Sequence, residues 1–241
     1  MTDRVRVAEI LSAISDDPGP DSALMIRLCA ECLAATSVSG VGVALMTADG
    51  PSGVVVAATD GRARELEELQ FSVGEGPCVQ ASRDGRPVLE PDLAATAPAR
   101  WPGFLGAVLE AGIRAVFAFP LRVGAIRVGV IDLYRDAPGH LTLAEMAEAL
   151  AFAEAATLIL LYLQDHTSPG GTHSALLEQI DSRAAVHQAT GMITVQLGVP
   201  LAEALLRLRA HAYAAGRPVA DVADDVVGRR LRFDGSEAGE R

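Results

Sequence analysis

The chain has 241 residues, half of them hydrophobic and 21% charged, with a formal net charge of −11. That much apolar content excludes a disordered chain and is enough for one sizeable core and a smaller one. An acidic body repels phosphate, which excludes nucleic-acid binding through bulk charge.

Helical spacing of Val7, Ile10, Leu11 and Ile14 predicts a helix over Val5–Ile14, broken at Asp16-Asp17-Pro18-Gly19-Pro20. Asp21-Ser22 is placed to cap a second helix, Ala23–Ala35. Val41–Met46 and Val54–Ala58 read as a strand hairpin around the turn Ala48-Asp49-Gly50-Pro51. Glu65–Phe71 is short and charged. Gly74-Glu75-Gly76-Pro77-Cys78 opens a short helix through Ser82, followed by a brief strand at Pro87–Glu90. A loop over Asp92–Arg100 leads through Trp101-Pro102 into a helix ending near Gly112. Ala115–Val123 and Arg127–Tyr134 are strong strands separated by Gly124-Ala125, and Leu143–Gln164 is a long Ala/Leu helix with Thr142 at its N-cap. Strands that arrive in hairpins predict an antiparallel sheet with helices packed on it, an α+β domain spanning 1–167.

Ser168-Pro169-Gly170-Gly171-Thr172 reads as a linker, and strand patterns stop after it. Ser174–Leu197, Leu201–Ala215 and Val219–Arg229 read as three helices separated by Gly198-Val199-Pro200 and Gly216-Arg217-Pro218, a small bundle over 174–235. On a helical wheel Leu177, Ile180, Ala184, Gly191 and Val195 share one face of the first helix. Leu201, Leu205, Leu208 and Ala212 form the stripe of the second, and Val219, Val222, Ala223 and Val226 that of the third. Well away from the first stripe lies a polar strip, Arg183, His187, Thr190 and Thr194. Arg207 and His211 pair on the second helix, Arg209 stands near its apolar edge, and Arg229, Arg230 and Arg232 follow the third. On spacing alone the strip is an ordinary solvated face, and the Arg trio equally serves the helix dipole. Residues 174–241 nevertheless hold 8 Arg against 9 acidic residues, whereas 1–173 hold 12 against 22. Any nucleic-acid contact therefore falls in the C-terminal part. The chain has no Lys and no Asn, the mark of a G- and C-rich genome rather than of a nucleic-acid binder.

The ordered series Arg183-Ala184-Ala185-Val186-His187-Gln188-Ala189-Thr190-Gly191-Met192, Val195–Val199, Glu203-Ala204, Leu208–Ala212, Val222-Ala223 and Val226-Val227 resembles an ANTAR domain over roughly 183–233. The resemblance implies binding to paired stem-loops in nascent RNA, preventing terminator formation, with Arg183, His187, Thr190, Thr194, Arg207, Arg209, Arg229, Arg230 and Arg232 as candidate contacts. RNA loops are read by short polar, cationic and stacking contacts of that kind. Many family members carry Lys where this chain has Thr190, which removes one cation. Over roughly 21–165, Gly74–Cys78, Gly85-Arg86-Pro87-Val88, Trp101–Phe104, Gly112–Val116, Phe119-Pro120-Leu121 and Gly129–Tyr134 resemble successive blocks of a GAF domain. Such domains bind small ligands over the sheet or dimerise, so the cofactor or ligand is left unnamed and a homodimer is expected through Leu143–Gln164.

Cys29-x-x-Cys32 lies mid-helix without a second pair to complete a zinc site, and reads as two packed residues. Cys78, beside a Gly-rich turn, is the more open case, and packing is favoured there too. No Gly-x-Ser-x-Gly, Walker loop or His-x-x-x-His occurs, so neither a catalytic nor a metal site is expected. Two rivals remain: a cysteine redox enzyme like the methionine sulfoxide reductases built on GAF domains, and a protein-binding adaptor without RNA contact. Three cysteines suit a reducing compartment, no uninterrupted apolar leader opens the chain, and apolar runs such as Ala155–Leu163 fall short of the roughly 20 residues of a membrane span. The expectation is a cytoplasmic regulator with no membrane contact.

Overall fold

A computed structural model describes residues 4–16, 19–47, 50–96, 98–124, 126–166 and 174–233. The linker expected at Ser168–Thr172 lies outside the described residues, as do the side chains of 174–184. Two compact units result, one comprising Met1–Phe71 and Glu75–Pro169, the other Gly170–Arg241 with Ser72–Gly74.

The first unit is built on five antiparallel strands. They are β1 (Gly40–Thr47), β2 (Gly50–Ala58), β3 (Val88–Glu90), β4 (Ala115–Val123) and β5 (Ile126–Arg135), in the order β2-β1-β5-β4-β3. Both expected hairpins form, and β5 pairs with β1 in the register Gly42↔Asp132 and Val43↔Ile131. Successive side chains of a strand point to opposite faces. One face, with Val41, Val43, Phe117, Phe119, Ile131 and Leu133, carries the main core. It is covered by α1 (Arg4–Asp16), α2 (Leu24–Ala35) and α6 (Leu143–His166). The other face carries α3 (Gly61–Val73) and α4 (Pro77–Asp84), while α5 (Leu105–Glu110) follows a short 3₁₀ turn at Leu93–Ala95.

Three readings are corrected here. The 3₁₀ turn Asp21–Ala23 precedes α2, whose N-cap is Ala23 and makes no side-chain cap bond. The charged stretch at Glu65–Phe71 belongs to a full helix of 13 residues. Its N-terminus is set by Asp60, whose carboxylate accepts from the Ala63 amide at 2.7 Å and from the Tyr134 hydroxyl at 2.8 Å. By length and composition Leu143–Gln164 is apolar enough to cross a membrane. Counting uninterrupted runs hid this, because Glu145, Glu148 and Glu154 punctuate the helix. In the fold α6 packs on β4, β5, α1 and α2, so its apolar content is in large part core.

The second unit is helical: α7 (Ser174–Leu197), α8 (Leu201–Ala214) and α9 (Val219–Val227). Helix α7 packs on both others. The two Pro residues occupy the N-caps of α8 and α9 rather than the first helical position. The stripe of α9 is buried as expected, whereas in α8 Leu201 is exposed and Ala204, Leu208 and Ala212 are buried. In α7 the side chains of Leu177, Ile180 and Ala184 lie outside the described residues, and the rest of the expected face is displaced. Ala185, Val186, Ala189, Thr190 and Ile193 are buried, while Val195 is 84% exposed. Small and apolar residues occur on nearly every side of α7, so periodicity alone could not phase it.

The N-terminus of α6 is a capping box. The Glu145 amide donates to Thr142 Oγ1 at 3.2 Å, and the Thr142 amide donates to Glu145 Oε2 at 2.7 Å. Glu145 also accepts from Ser37 and pairs with Arg135 at 2.7 Å. The Ser37 hydroxyl foremost, then the Thr142 amide, hold its carboxyl down at about 2. A depressed carboxyl contributes stability that is present above its unfolded value, about 4.3, and is lost as pH falls toward 2. Glu145→Gln is therefore expected to lower the thermal midpoint by a few degrees at pH 7, with the gap to wild type closing between about pH 4.5 and 2. Circular-dichroism melts across that range check it.

Candidate functional site

On the sheet face away from the main core, β5 places Asp132 in an otherwise apolar run. It lies opposite Gly42 of β1 and beneath α3 and α4. Asp132 is fully buried, and Glu67 of α3 and Cys78 of α4 are almost so. One carboxylate oxygen from each acid and the Cys78 sulfur all lie within 4.8 Å of one another.

The local sequence explains the convergence. A Cβ at Gly42 would stand 2.7 Å from Glu67 Oε1, so the missing side chain is what admits the carboxyl to the sheet surface. Gly76, at φ 123°, N-caps α4 and likewise leaves room for the Gln70 amide. Gln70, fully buried, then joins both helices to the strand. Its Nε2 donates to Asp132 Oδ2 at 2.6 Å, and its Oε1 accepts from the Cys78 amide at 2.8 Å. The first α4 positions lack intrahelical acceptors for their amides, and Gln70 supplies one from a neighbouring helix. Outside the Glu67–Cys78–Asp132 cluster itself, Asp132 Oδ1 and both Glu67 oxygens have no hydrogen-bond partner among the described residues.

Burial, and then the Asp132 charge, push the Glu67 carboxyl well up. Burial pushes Asp132 up as well, against the hydrogen bonds from Gln70, Glu67 and Cys78. Burial first, then Asp132 and Glu67, raise the Cys78 thiol, which outweighs the thiolate preference expected at a helix N-terminus. Burial also lifts Cys29 to about 12 and raises Cys32. All three cysteines are unbridged.

The second unit holds the expected RNA contacts, and they divide. His187 is exposed on α7. Thr190 is buried, its hydroxyl donating to the Val186 carbonyl at 2.6 Å, so the strip is not one continuous solvent face. Thr194 is half-buried with its Oγ1 enclosed. Arg183 lies on α7, its side chain outside the described residues. Arg207 is exposed and pairs with Glu203 at 2.7 Å. Arg209 is half-buried, and burial lowers its guanidinium to about 10, still charged at neutral pH. Arg230 pairs with Asp225 at 2.7 Å, while Arg229 and Arg232 are exposed.

Arg229 is the one residue other than glycine with positive φ, 57°, among the described residues. It ends α9: the Arg229 amide bonds to the Val226 carbonyl at 3.0 Å and the Arg230 amide to the Asp225 carbonyl at 2.8 Å, the Schellman pattern. Beyond it the chain folds back. The Phe233 amide donates to Gln196 Oε1 at 3.0 Å, and its ring meets His211 edge-on at 5.3 Å. Phe233 and Gln196 were missed in the sequence, where an aromatic beyond the last helix carries no periodic signal.

Residues 22–161 match the family model of the GAF domain, and residues 174–227 that of the ANTAR domain. The chain belongs to the GAF domain family. Its GAF domain is followed by a C-terminal ANTAR domain, the architecture of a sensor-regulated antitermination regulator. No curated protein matches the chain. Solved structures similar to the GAF domain include the GAF domain of a phosphoenolpyruvate-protein phosphotransferase from Coxiella burnetii. It is 11% identical, with 67% of this chain and 94% of that chain covered and a TM-score of 0.49. A type II free methionine-R-sulfoxide reductase from Thermoplasma acidophilum is 15% identical over 59% of this chain and 93% of that chain, with a TM-score of 0.45. The GAF domain of the cyanobacteriochrome TePixJ is 19% identical over 63% and 95%, with a TM-score of 0.49.

Reductase chemistry on cysteine needs an accessible thiolate. In the GAF domain all three thiols are buried and held protonated. None of the three is expected to react with Ellman's reagent within minutes at pH 7.5, and all three are expected to react once the protein is denatured. Rapid titration of a thiol in the native protein would reopen the redox reading.

Proposed function

We propose that this chain is a cytoplasmic, non-enzymatic bacterial regulator whose ANTAR domain binds paired stem-loops in nascent RNA and so prevents terminator formation, under control of its GAF domain. The carrying observation is the end of α9. A left-handed conformation at a residue other than glycine costs on the order of 1–3 kcal/mol, persists only where the surrounding structure holds it, and is concentrated at functional sites. Arg229 takes it, although glycine would serve that cap without strain. Phe233 then anchors the segment carrying Arg229, Arg230 and Arg232 against α7 and α8. Cations and a half-exposed aromatic ring side by side are what unpaired RNA loops engage, the cations on phosphate and the ring on bases. The surface pairs Arg207–Glu203 and Arg230–Asp225 stand in solvent and are weakly held, so a phosphate can displace the carboxylate. His187 extends the proposed surface along α7, with Thr194 and Arg209 at its margin, and Arg183 joins it on helical spacing alone.

The GAF domain is the sensing and pairing module in this reading. Leu143, Leu150, Leu158 and Tyr162 are exposed along one side of α6, spaced by two turns, two turns and one, and two protomers joined there would present two ANTAR domains to a two-hairpin target. Leu158→Glu is expected to convert a dimer to a monomer in light scattering at micromolar concentration. A wild type that is monomeric with and without RNA would remove the pairing.

The RNA contact is tested by filter binding of a two-stem-loop RNA and a scrambled control. Arg183→Ala and Arg232→Ala are each expected to weaken binding to all RNAs and to lower the salt slope by about one unit. His187→Ala and Phe233→Ala should instead blunt the preference for the hairpin RNA. Arg229→Gly should raise the thermal midpoint while weakening RNA binding, two effects of opposite sign from one substitution. Unchanged affinity and preference in all five folded variants would make this an ordinary solvated surface.

A further inference from the structure

Two carboxyl groups and a thiol meet on the inner side of α3 and α4, sealed from solvent, with three carboxylate oxygens lacking any partner outside the trio among the described residues. Buried polar atoms are normally paired, and leaving one unpaired costs stability. An apolar trio would have served packing better, so the cluster points to an occupant that supplies the missing interactions.

We propose that Glu67, Cys78 and Asp132 bind a divalent transition-metal ion of the Zn²⁺ class. The cluster has the size for an ion. Ligand atoms within 4.8 Å of one another enclose a single ion and leave no room for an organic ligand. Around tetrahedral zinc, bonds of about 2.0–2.3 Å set neighbouring donors roughly 3.3–3.8 Å apart, so a small inward shift brings the three donors onto one ion and leaves the fourth position to a water or the second Glu67 oxygen. One sulfur with two carboxylates suits a borderline ion, whereas Mg²⁺ and Ca²⁺ favour all-oxygen shells with more ligands and Cu⁺ favours several sulfurs.

Gln70 holds Asp132 through Oδ2 alone and leaves Oδ1 for the cluster, while its other end fixes the backbone that carries Cys78. Such outer groups fix the aim of ligating side chains in metal sites. Gly42 is part of the same design, because any larger residue would push Glu67 out of reach. Binding displaces the protons carried by the thiol and the carboxyls, and the ion takes over the charge that burial otherwise disfavours. The site stands independently of the RNA reading, and neither falls with the other.

The test uses the full chain, stripped with chelator and then incubated with Zn²⁺ or Co²⁺, with a parallel sample refolded in the metal because the site is sealed. One equivalent per chain is expected, with a rise in thermal midpoint. The Co²⁺ form should show a near-ultraviolet sulfur-to-metal charge-transfer band. The near-isosteric variants Glu67→Gln and Asp132→Asn should each lose about tenfold or more in affinity, and Cys78→Ser should abolish the charge-transfer band. The wild-type Co²⁺ spectrum is informative even if a variant fails to fold. No stoichiometric metal in the wild type by either loading route, or uptake unchanged in all three folded variants, would overturn the site and leave a carboxyl pair sharing protons.

Discussion

The central strand β5 has to serve two environments at once. Its odd positions, Ile131 and Leu133, close the apolar core under α2 and α6, and its even positions face α3 and α4. Because strand side chains alternate, a slip of one residue against β1 would drive Asp132 into the main core and expel Ile131. The register Gly42↔Asp132 is thus held by the hydrophobic effect on one face, and the acid–thiol cluster is assembled on the other as its consequence. Gln70 completes the arrangement by bonding a strand carboxylate and a helix amide through one side chain, which fixes α3 and α4 to each other and to the sheet.

Much of this was legible in the sequence. Paired apolar runs around Gly124 and around Gly50 announced the two hairpins, and Thr142 announced the start of α6. The acid–thiol cluster was not legible, for a physical reason. Residues 67, 78 and 132 share no spacing, and only the antiparallel pairing and the packing of two helices bring them together. A trace of signal existed in Asp132, a lone acid inside the run Val128–Tyr134, since a charged residue rarely sits in a fully buried strand without a role. In the ANTAR domain the stripe of α9 was readable because its apolar and acidic residues segregate cleanly, whereas α7 offered apolar residues on several sides and Val195, read as core, is exposed. That error carried Thr190 with it, because the position read as solvent-facing borders the true buried side.

The two domains place their polar chemistry in opposite settings. In the GAF domain titratable groups are enclosed, where each unpaired oxygen is costly and small changes of occupancy have large energetic effects. In the ANTAR domain Arg207 and Arg230 lie at the surface in loose ion pairs, where exchange of one anion for another is nearly free of cost. An enclosed site suits tight, slow loading, and an exposed one suits rapid engagement of a transcript that exists only briefly.

The left-handed Arg229 also bears on how the sequence is maintained. Every arginine codon is a single base change from a glycine codon. The substitution that would relax this helix end is therefore among the most accessible steps open to the gene, and Gly228 shows that glycine is tolerated next door. A chain drifting under selection for stability alone would fall into that glycine. Arginine there keeps a local strain that one base change would relieve, and keeps with it a guanidinium at the end of the last helix.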